Sequence, residues 1–331
     1  MRTLSASVLQ RVGEGFFQVW FHAMGSPCQL FFAADDLKMA ESFVAIVAGW
    51  LGRFEQHCSR YLPNSRLNAI NAASGRGWQE TDALVEVMLD LCGHSHFQTD
   101  GAFDATSLPL SELWDWKRER RALPTEHEIQ SALRDVGWGR VLREPGKVAL
   151  PAGMRMDFGG VGKEFAVDAV RQMGVNHGLP RLLVDFGGDV AVHGDSPEGG
   201  GWYVGLEDPE KMGHSYLGIR LPEGMAVATS GDYRRHFVFK GDRYGHLLDC
   251  RTGCPVSHRT RAVSVISRRC VEAGIHSTAA MIRGGREGLE GLQRVSNVEG
   301  CLWDEGHVLQ TLGFGRFLAK ETRFKGELAH R

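Results

Sequence analysis

Residues 154–169 read MRMDFGGVGKEFAVDA, and residues 182–194 read LLVDFGGDVAVHG. The first stretch opens on an apolar run, Met154–Phe158, passes through Gly159-Gly160-Val161-Gly162, and continues to 177 with apolar residues at helical spacing. A second apolar run, Arg181–Phe186, ends at Gly187-Gly188. Strand, glycine turn, helix over 163–177 and strand make a βαβ unit, which predicts a parallel pairing inside a larger sheet. A glycine turn that feeds a helix leaves the first helical amides unpaired and adds the positive end of the helix dipole, a setting suited to phosphate. Lys163 adds a full positive charge. The pattern is not a Walker motif, because no Ser or Thr follows Gly-Lys. Nor is it a strict dinucleotide fingerprint, because Phe165 stands where Gly or Ala is required. Alone it fits a phosphate site or a tight structural turn equally well. Gly187-Gly188 favours a ligand, since open α/β sheets bind at the carboxyl ends of their strands.

Working outward, residues 15–32 read as two strands joined by a turn at Gly-Ser-Pro. Helices are expected over 36–56, where Leu37, Ala40, Phe43, Val44, Val47, Trp50, Leu51 and Phe54 recur at three- and four-residue spacing, and over 81–98 behind a Thr81-Asp82 cap. Pro-Thr-Glu-His-Glu at 124–128 looks like a capped helix start, and the KRERR run at 117–121 reads as a solvated face. Short strands and turns continue to about 266, and a helix over 271–283 precedes a polar, basic tail. No Pro/Ser-rich linker interrupts the chain, so 1–331 is read as a single α+β domain of mixed sheet and helix.

Composition narrows the function classes. The chain has 331 residues, 43% hydrophobic and 24% charged, which fits a soluble globular protein and excludes a disordered polymer. A net charge of −2 argues against nucleic acid as a bulk partner. Glycine is in excess, 42 residues, pointing to unusual backbone conformations or to backbone that something approaches closely. Seven scattered cysteines, an odd number, read as reduced thiols; Cys250 and Cys254 lack a second ligand pair for zinc, and His94 and His96 read as surface histidines. With no signal-like apolar stretch and no 18-residue apolar span, no membrane anchor and a cytoplasmic location are expected.

Ordered polar segments punctuate this framework: Met24-Gly25, Ser59-x-Tyr61-x-Pro63-x-Ser65, Gly101-x-Phe103-Asp104-x-Thr106, Asp157-x-Gly159-Gly160-x-x-Lys163, Gly187-Gly188-Asp189, Thr229-Ser230-Gly231, His246-x-x-Asp249-x-x-Thr252-Gly253 and Ser277-Thr278-Ala279. In this order, over roughly 24–285, they resemble the FAD:protein FMN transferases, the flavin-trafficking family long labelled ApbE. The resemblance implies a fold of two closely joined lobes with the flavin between them. It also implies Mg²⁺-dependent cleavage of FAD, transfer of FMN to a Ser or Thr hydroxyl of an acceptor flavoprotein, and release of AMP. Carried over residue by residue, Met24, Tyr61, Gly101, Phe103, Asp104, Gly159, Gly160, Lys163, Asp168, Gly187, Gly188, Ser230, Gly231 and His246 would bind FAD, with Tyr61 against the isoalloxazine. Asp104, Asp249 and Lys163 would surround the scissile phosphate, and the Gly162 carbonyl and Thr278 would hold the metal. The sequence departs from the family where an Asp ligand is usual one helical turn before Thr278: here stands Gly274, and Glu164 replaces a common Gly after Lys163. Glu164 is a conjectural substitute for the missing carboxylate. An FAD-binding homologue with weakened or lost transfer is the alternative.

Overall fold

The computed structural model describes residues 9–118 and 121–319. The chain opens with β1 (Leu9–Gly13), β2 (Phe16–Ala23) and β3 (Ser26–Ala33), then α1 (Leu37–Cys58), α2 (Arg66–Ala72), β4 (Gln79–Glu80), α3 (Ala83–Gln98), α4 (Leu108–Trp114) and α5 (Glu126–Leu133). A small hairpin, β5 (Leu142–Glu144) and β6 (Lys147–Ala149), leads to α6 (Gly162–Asn176), β7 (Arg181–Phe186) and β8 (Asp189–His193). Next come β9 (Trp202–Glu207), β10 (Ser215–Leu221), β11 (Ala226–Gly231), β12 (His236–Phe239), β13 (Asp242–Gly245), β14 (Leu248–Asp249) and β15 (Cys254–Pro255). The last described part is β16 (Thr260–Ser267), α7 (Cys270–Arg283), α8 (Gly285–Gln293), β17 (Glu299–Asp304) and β18 (His307–Gln310).

Nine strands build one sheet in the order β1-β2-β3-β7-β8-β11-β16-β17-β18, and every pairing in it is antiparallel. The βαβ expectation is therefore overturned. β7 lies between β3 and β8, antiparallel to both. Met154–Phe158 joins no sheet; its β pairing is limited to an isolated bridge between Arg155 and Ser107. Its backbone groups are satisfied locally instead: the Asn71 side chain donates to the Met156 carbonyl and accepts from its amide (2.9 and 2.8 Å), and Asp157 N donates to Ala105 O. A buried side-chain amide has taken the part of a neighbouring strand.

Period-two alternation divides the sheet between two cores. Ala191, Ala226, Ala228, Val265 and Leu302 face a helical layer formed by α1, α3, α6 and α7, where Phe43, Val47, Leu51, Met88, Val167 and Val170 are buried. Val190, Val192, Val227 and Ile266 face the other way, beneath Trp202, Leu206, Ile219 and Leu221 of the β9–β10 hairpin and Phe314 and Phe317. A third cluster, Leu110, Trp114 and Leu248 with partly buried Ile129, Leu133, Phe237 and Tyr244, unites α4, α5 and the short hairpins β12–β13 and β14–β15.

The predicted helices over 36–56 and 81–98 form, with Asp36 and Asp82 as side-chain caps, and Thr125 with Glu128 closes a capping box at α5. The first hairpin turns at Met24-Gly25, both at positive φ, rather than at Gly-Ser-Pro. After 283 the chain is not a tail: α8 packs on α7, and β17 and β18 complete the sheet; the residues beyond 319, like 1–8 and 119–120 of the charge run, lie outside the described residues. Among the described residues, no helix is long and apolar enough to cross a membrane.

α8 packs so closely on α7 that a Cβ at Gly288 would collide with the Ala280 carbonyl. Gly288→Ala is expected to cost about 1–3 kcal/mol of unfolding free energy, whereas Gly315→Ala, which faces open space, stays within about 0.5 kcal/mol of the parent. Equal stabilities by chemical denaturation would contradict this packing.

Candidate functional site

The first turn of α6 forms the floor of the site. Val161 and Gly162 both donate to the Phe158 carbonyl (3.1 and 2.7 Å), closing the glycine turn. Any side chain at Gly160 would strike the Phe103 ring, so the turn and Phe103 pack directly on one another. One residue beyond this turn is Lys163, whose ammonium pairs with Asp189 at the start of β8. Asp189 is buried, and its second oxygen accepts from Thr229 N at 3.1 Å. The β7–β8 corner at Gly187 has φ +65°, and a Cβ there would lie 2.9 Å from Ser26 Cβ and 3.8 Å from Lys163 Cδ. One ion pair thus brings together α6, the β7–β8 corner and the end of β11.

Beyond Thr229, the Ser230 hydroxyl meets Ser277 Oγ at 2.8 Å and Thr278 Oγ1 at 3.0 Å, joining the strand end to α7. Gly274, one turn before Thr278, faces Glu164 closely: a Cβ at 274 would lie 2.6 Å from Glu164 Cγ and 3.1 Å from its Cδ. Glu164 Oε2 is enclosed and has no hydrogen-bond partner.

The charges in this cluster shift one another. Burial alone would lower the Lys163 pKa, but Asp189 and Glu164 outweigh it and hold the ammonium charged. Burial, reinforced by Asp189, pushes the Glu164 carboxyl up to about 8. His246 follows β13, its amide bonded to Arg235 O at 2.9 Å and its Nδ1 enclosed without a partner. Burial, then the positive charges of Arg235 and Lys163, lower its pKa to about 4, so the imidazole is neutral near pH 7.

A second group lies by the glycine turn. Tyr61 is 69% exposed, with the Arg60 guanidinium 4.4 Å from its ring centroid. Arg60 also pairs with Asp157 (2.8 Å), whose other oxygen accepts from Gly159 N (2.9 Å). Through Arg60, the exposed ring is fixed relative to the turn.

Asp104 is more enclosed than its assignment beside a reacting phosphate suggests. Its carboxylate accepts from Thr106 N and Oγ1 and from Trp138 N, and lies 3.2 Å from His96 Nδ1. His96 is therefore half-buried and paired, not an ordinary surface histidine. Gly101, at φ +74°, lies against its ring. Asp249 is held by Arg251 at 2.9 and 2.8 Å; burial raises its pKa but the Arg251 hydrogen bonds prevail and keep it lowered. The next residue, Cys250, packs against the Asp104 backbone amide and Ser107, and burial raises its thiol pKa to about 12. The two aspartates are brought near one another by this docking.

Three predicted binding residues have structural engagements. Asp168 accepts from Cys270 N and Val271 N (2.9 and 3.0 Å), capping α7, and pairs with Arg171. Met24 N donates to Glu55 Oε1 (2.8 Å), tying the first hairpin to α1. Gly231 gives Tyr233 its place, since a Cβ there would lie 2.6 Å from that ring. Asp189 and Arg60 were not singled out from the sequence as site residues, although each adjoins one that was.

Comparison with known proteins bears on the arrangement directly. The profile of the ApbE family matches residues 24–302. A Vibrio cholerae FAD:protein FMN transferase is 31% identical over 243 residues, covering 72% of this chain and 68% of the relative; its Salmonella typhimurium namesake is 26% identical, covering 93% and 89%. The crystal structure of the Thermotoga maritima ApbE protein superposes with a TM-score of 0.84 at 27% identity, covering 92% of this chain and all of that one. Apo Pseudomonas stutzeri flavinyl transferase ApbE gives 0.82 at 25% identity, covering 92% and 96%. A match over most of the chain, joined to the same α+β fold, makes this protein a member of the ApbE family.

Proposed function

We propose that the chain binds FAD, moves its FMN moiety onto a Ser or Thr hydroxyl of an acceptor flavoprotein, and releases AMP. The observation that carries this reading is the Lys163–Asp189 pair beneath the Gly187-Gly188 corner, beside the hydroxyls of Ser230 and Thr278. A half-buried ammonium flanked by exposed glycine backbone suits a diphosphate, which needs cations and close approach without side chains. Tyr61, held by Arg60, offers an exposed ring for the isoalloxazine; Gly159 and Gly160 adjoin it through Asp157 and Arg60, with Phe103 packed on Gly160, and Gly101 is assigned to the same wall.

The residues fit a divalent cation. Glu164 fills the space next to Gly274 with its Cγ, Cδ and Oε1, its Oε2 is enclosed without a donor, and Thr278 carries a hydroxyl on the same face of α7. The Gly162 carbonyl and Thr278 would hold Mg²⁺. Bound there, Mg²⁺ would neutralise charge on the phosphate oxygens.

In the transfer, the acceptor hydroxyl oxygen forms a bond to the FMN-side phosphorus, the bond from that phosphorus to the bridging oxygen breaks, and AMP departs with that oxygen. Lys163 balances charge on the diphosphate. His246, neutral near pH 7, is assigned the hydroxyl proton; its lowered basicity makes that transfer concerted with formation of the new P–O bond rather than prior to it. Asp104 and Asp249, bound to donors of their own chain, shape the wall that holds the phosphate. The seven cysteines, free of disulfides, suit a cytoplasmic enzyme.

Incubation with FAD, Mg²⁺ and an acceptor flavoprotein should release AMP and leave flavin covalently on the acceptor. FAD bound without AMP release would favour a flavin holder, and no flavin binding at all would overturn both readings. Lys163→Met should lower turnover by about 10²–10³; Thr278→Ala should abolish Mg²⁺-dependent turnover while FAD still binds, and unchanged turnover would refute its metal role.

The His246 shift sets a pH dependence. A base acts when neutral, so a pKa lowered from 6.5 to about 4 extends activity toward acid. The acid limb of kcat/KM should fall near pH 4, and an NMR titration of the His246 ring should show the same midpoint; a limb and midpoint near 6.5 would contradict the assignment. The unfolded chain binds this proton first, so His246 contributes stability that is present above about pH 6.5 and lost as pH falls toward 4.

A further inference from the structure

Two carboxylate oxygens among the described residues are enclosed without a hydrogen-bond partner, Asp232 Oδ1 and Glu164 Oε2. The first has a cation at hand, Arg243 at 3.6 Å. The second has no side-chain cation within ion-pairing distance among the described residues: Lys163 is turned to Asp189, whose carboxylate also lies against the Glu164 carboxyl, so two acids share one ammonium. A carboxylate oxygen shut away from water and from donors is costly unless something positive meets it.

The space around it is specific. Gly274 is buried in the middle of α7, where glycine costs helix stability, and a Cβ there would come 2.6 Å from Glu164 Cγ and 3.3 Å from its Oε1. Glu164 therefore fills the volume that a side chain at 274 would need. Positions 274 and 278 are one helical turn apart on one face, so a carboxylate against Gly274 neighbours the Thr278 hydroxyl, itself 3.0 Å from Ser230. Carboxylate, hydroxyl and carbonyl oxygens form a hard-cation donor set.

We propose that Glu164, reaching from α6, supplies the carboxylate ligand of the divalent cation in place of the side chain absent at Gly274. The substitution of one helix for another keeps the ligand's charge at the site while moving its point of attachment. Gly274 then marks an exchanged ligand rather than a lost one. The proposal rests on the metal-dependent reading above, and cation binding can be measured apart from flavin transfer.

The test titrates Mn²⁺ into the 331-residue chain without FAD, reading bound ion by electron paramagnetic resonance, with FAD binding followed separately in metal-free buffer. The parent chain should bind one Mn²⁺. Glu164→Gln, which keeps size and hydrogen-bonding capacity, should weaken Mn²⁺ at least about tenfold, since even an outer-shell change costs about that much, while metal-free FAD affinity is retained. Gly274→Asp alone should bind poorly because two side chains claim one volume. The double variant Glu164→Gly with Gly274→Asp should recover Mn²⁺ to within about tenfold of the parent, which a destabilised fold could not do. Undiminished Mn²⁺ binding in Glu164→Gln overturns the ligand assignment even if AMP release persists. A parent chain that binds no Mn²⁺ also overturns it, and if AMP is not released either, the transferase reading falls with it.

Discussion

The site depends on the ion pair between Lys163 and Asp189. Lys163 belongs to the first turn of a helix that covers one face of the sheet, and Asp189 to the first residue of a strand inside it. The fully buried Asp189 charge would not be tolerable without the ammonium. Paired, they fix the register between helix and strand, bring the glycine corner alongside the ammonium, and leave Asp189 an oxygen for the Thr229 amide that steers β11 toward α7. The hydroxyl pair Ser230–Thr278 lies where it does because that strand end is held.

The remaining architecture carries this contact at modest cost. An antiparallel sheet with apolar residues on both faces needs two covers, and the chain provides a helical layer on one side and the β9–β10 hairpin on the other. The smaller cluster around Trp114 is tied in by a hydrogen bond from the indole to Gly253 O at 2.8 Å, which sets the β14–β15 hairpin, and so Asp249, against the Asp104 loop. Packing far from Lys163 thus decides the relative position of the acidic residues near it.

Much of this was legible in the sequence because it depends on local chemistry. Helical periodicity and side-chain caps located α1, α3, α5 and α6, and the ordered polar segments contain Lys163, the glycine corners, Ser230, His246 and Thr278, on which the proposed function rests. What escaped depends on distant partners. Met154–Phe158 has the apolar content of a strand, and nothing in those residues tells that Asn71, far away in sequence, satisfies their backbone. Strand direction in the sheet is likewise decided by which segments meet, so a strand–helix–strand pattern was read as parallel when β3 and β8 enclose β7 antiparallel. Asp168 has the sequence context of a binding residue, but its carboxylate is spent on the first amides of α7. His96 lacked any local sign of its pairing with Asp104.

The mutual exclusion of Glu164 and a side chain at 274 has an evolutionary corollary. Because the two positions compete for the same few cubic ångströms, a lineage cannot exchange one arrangement for the other by independent steps: acquiring the second acid first produces a clash, and discarding the first acid first leaves a void. Passage between the two states must cross an intermediate of lower fitness or rely on a nearby relaxing change, so the α6–α7 contact should act as a ratchet, with paired substitutions at 164 and 274 inherited as one character.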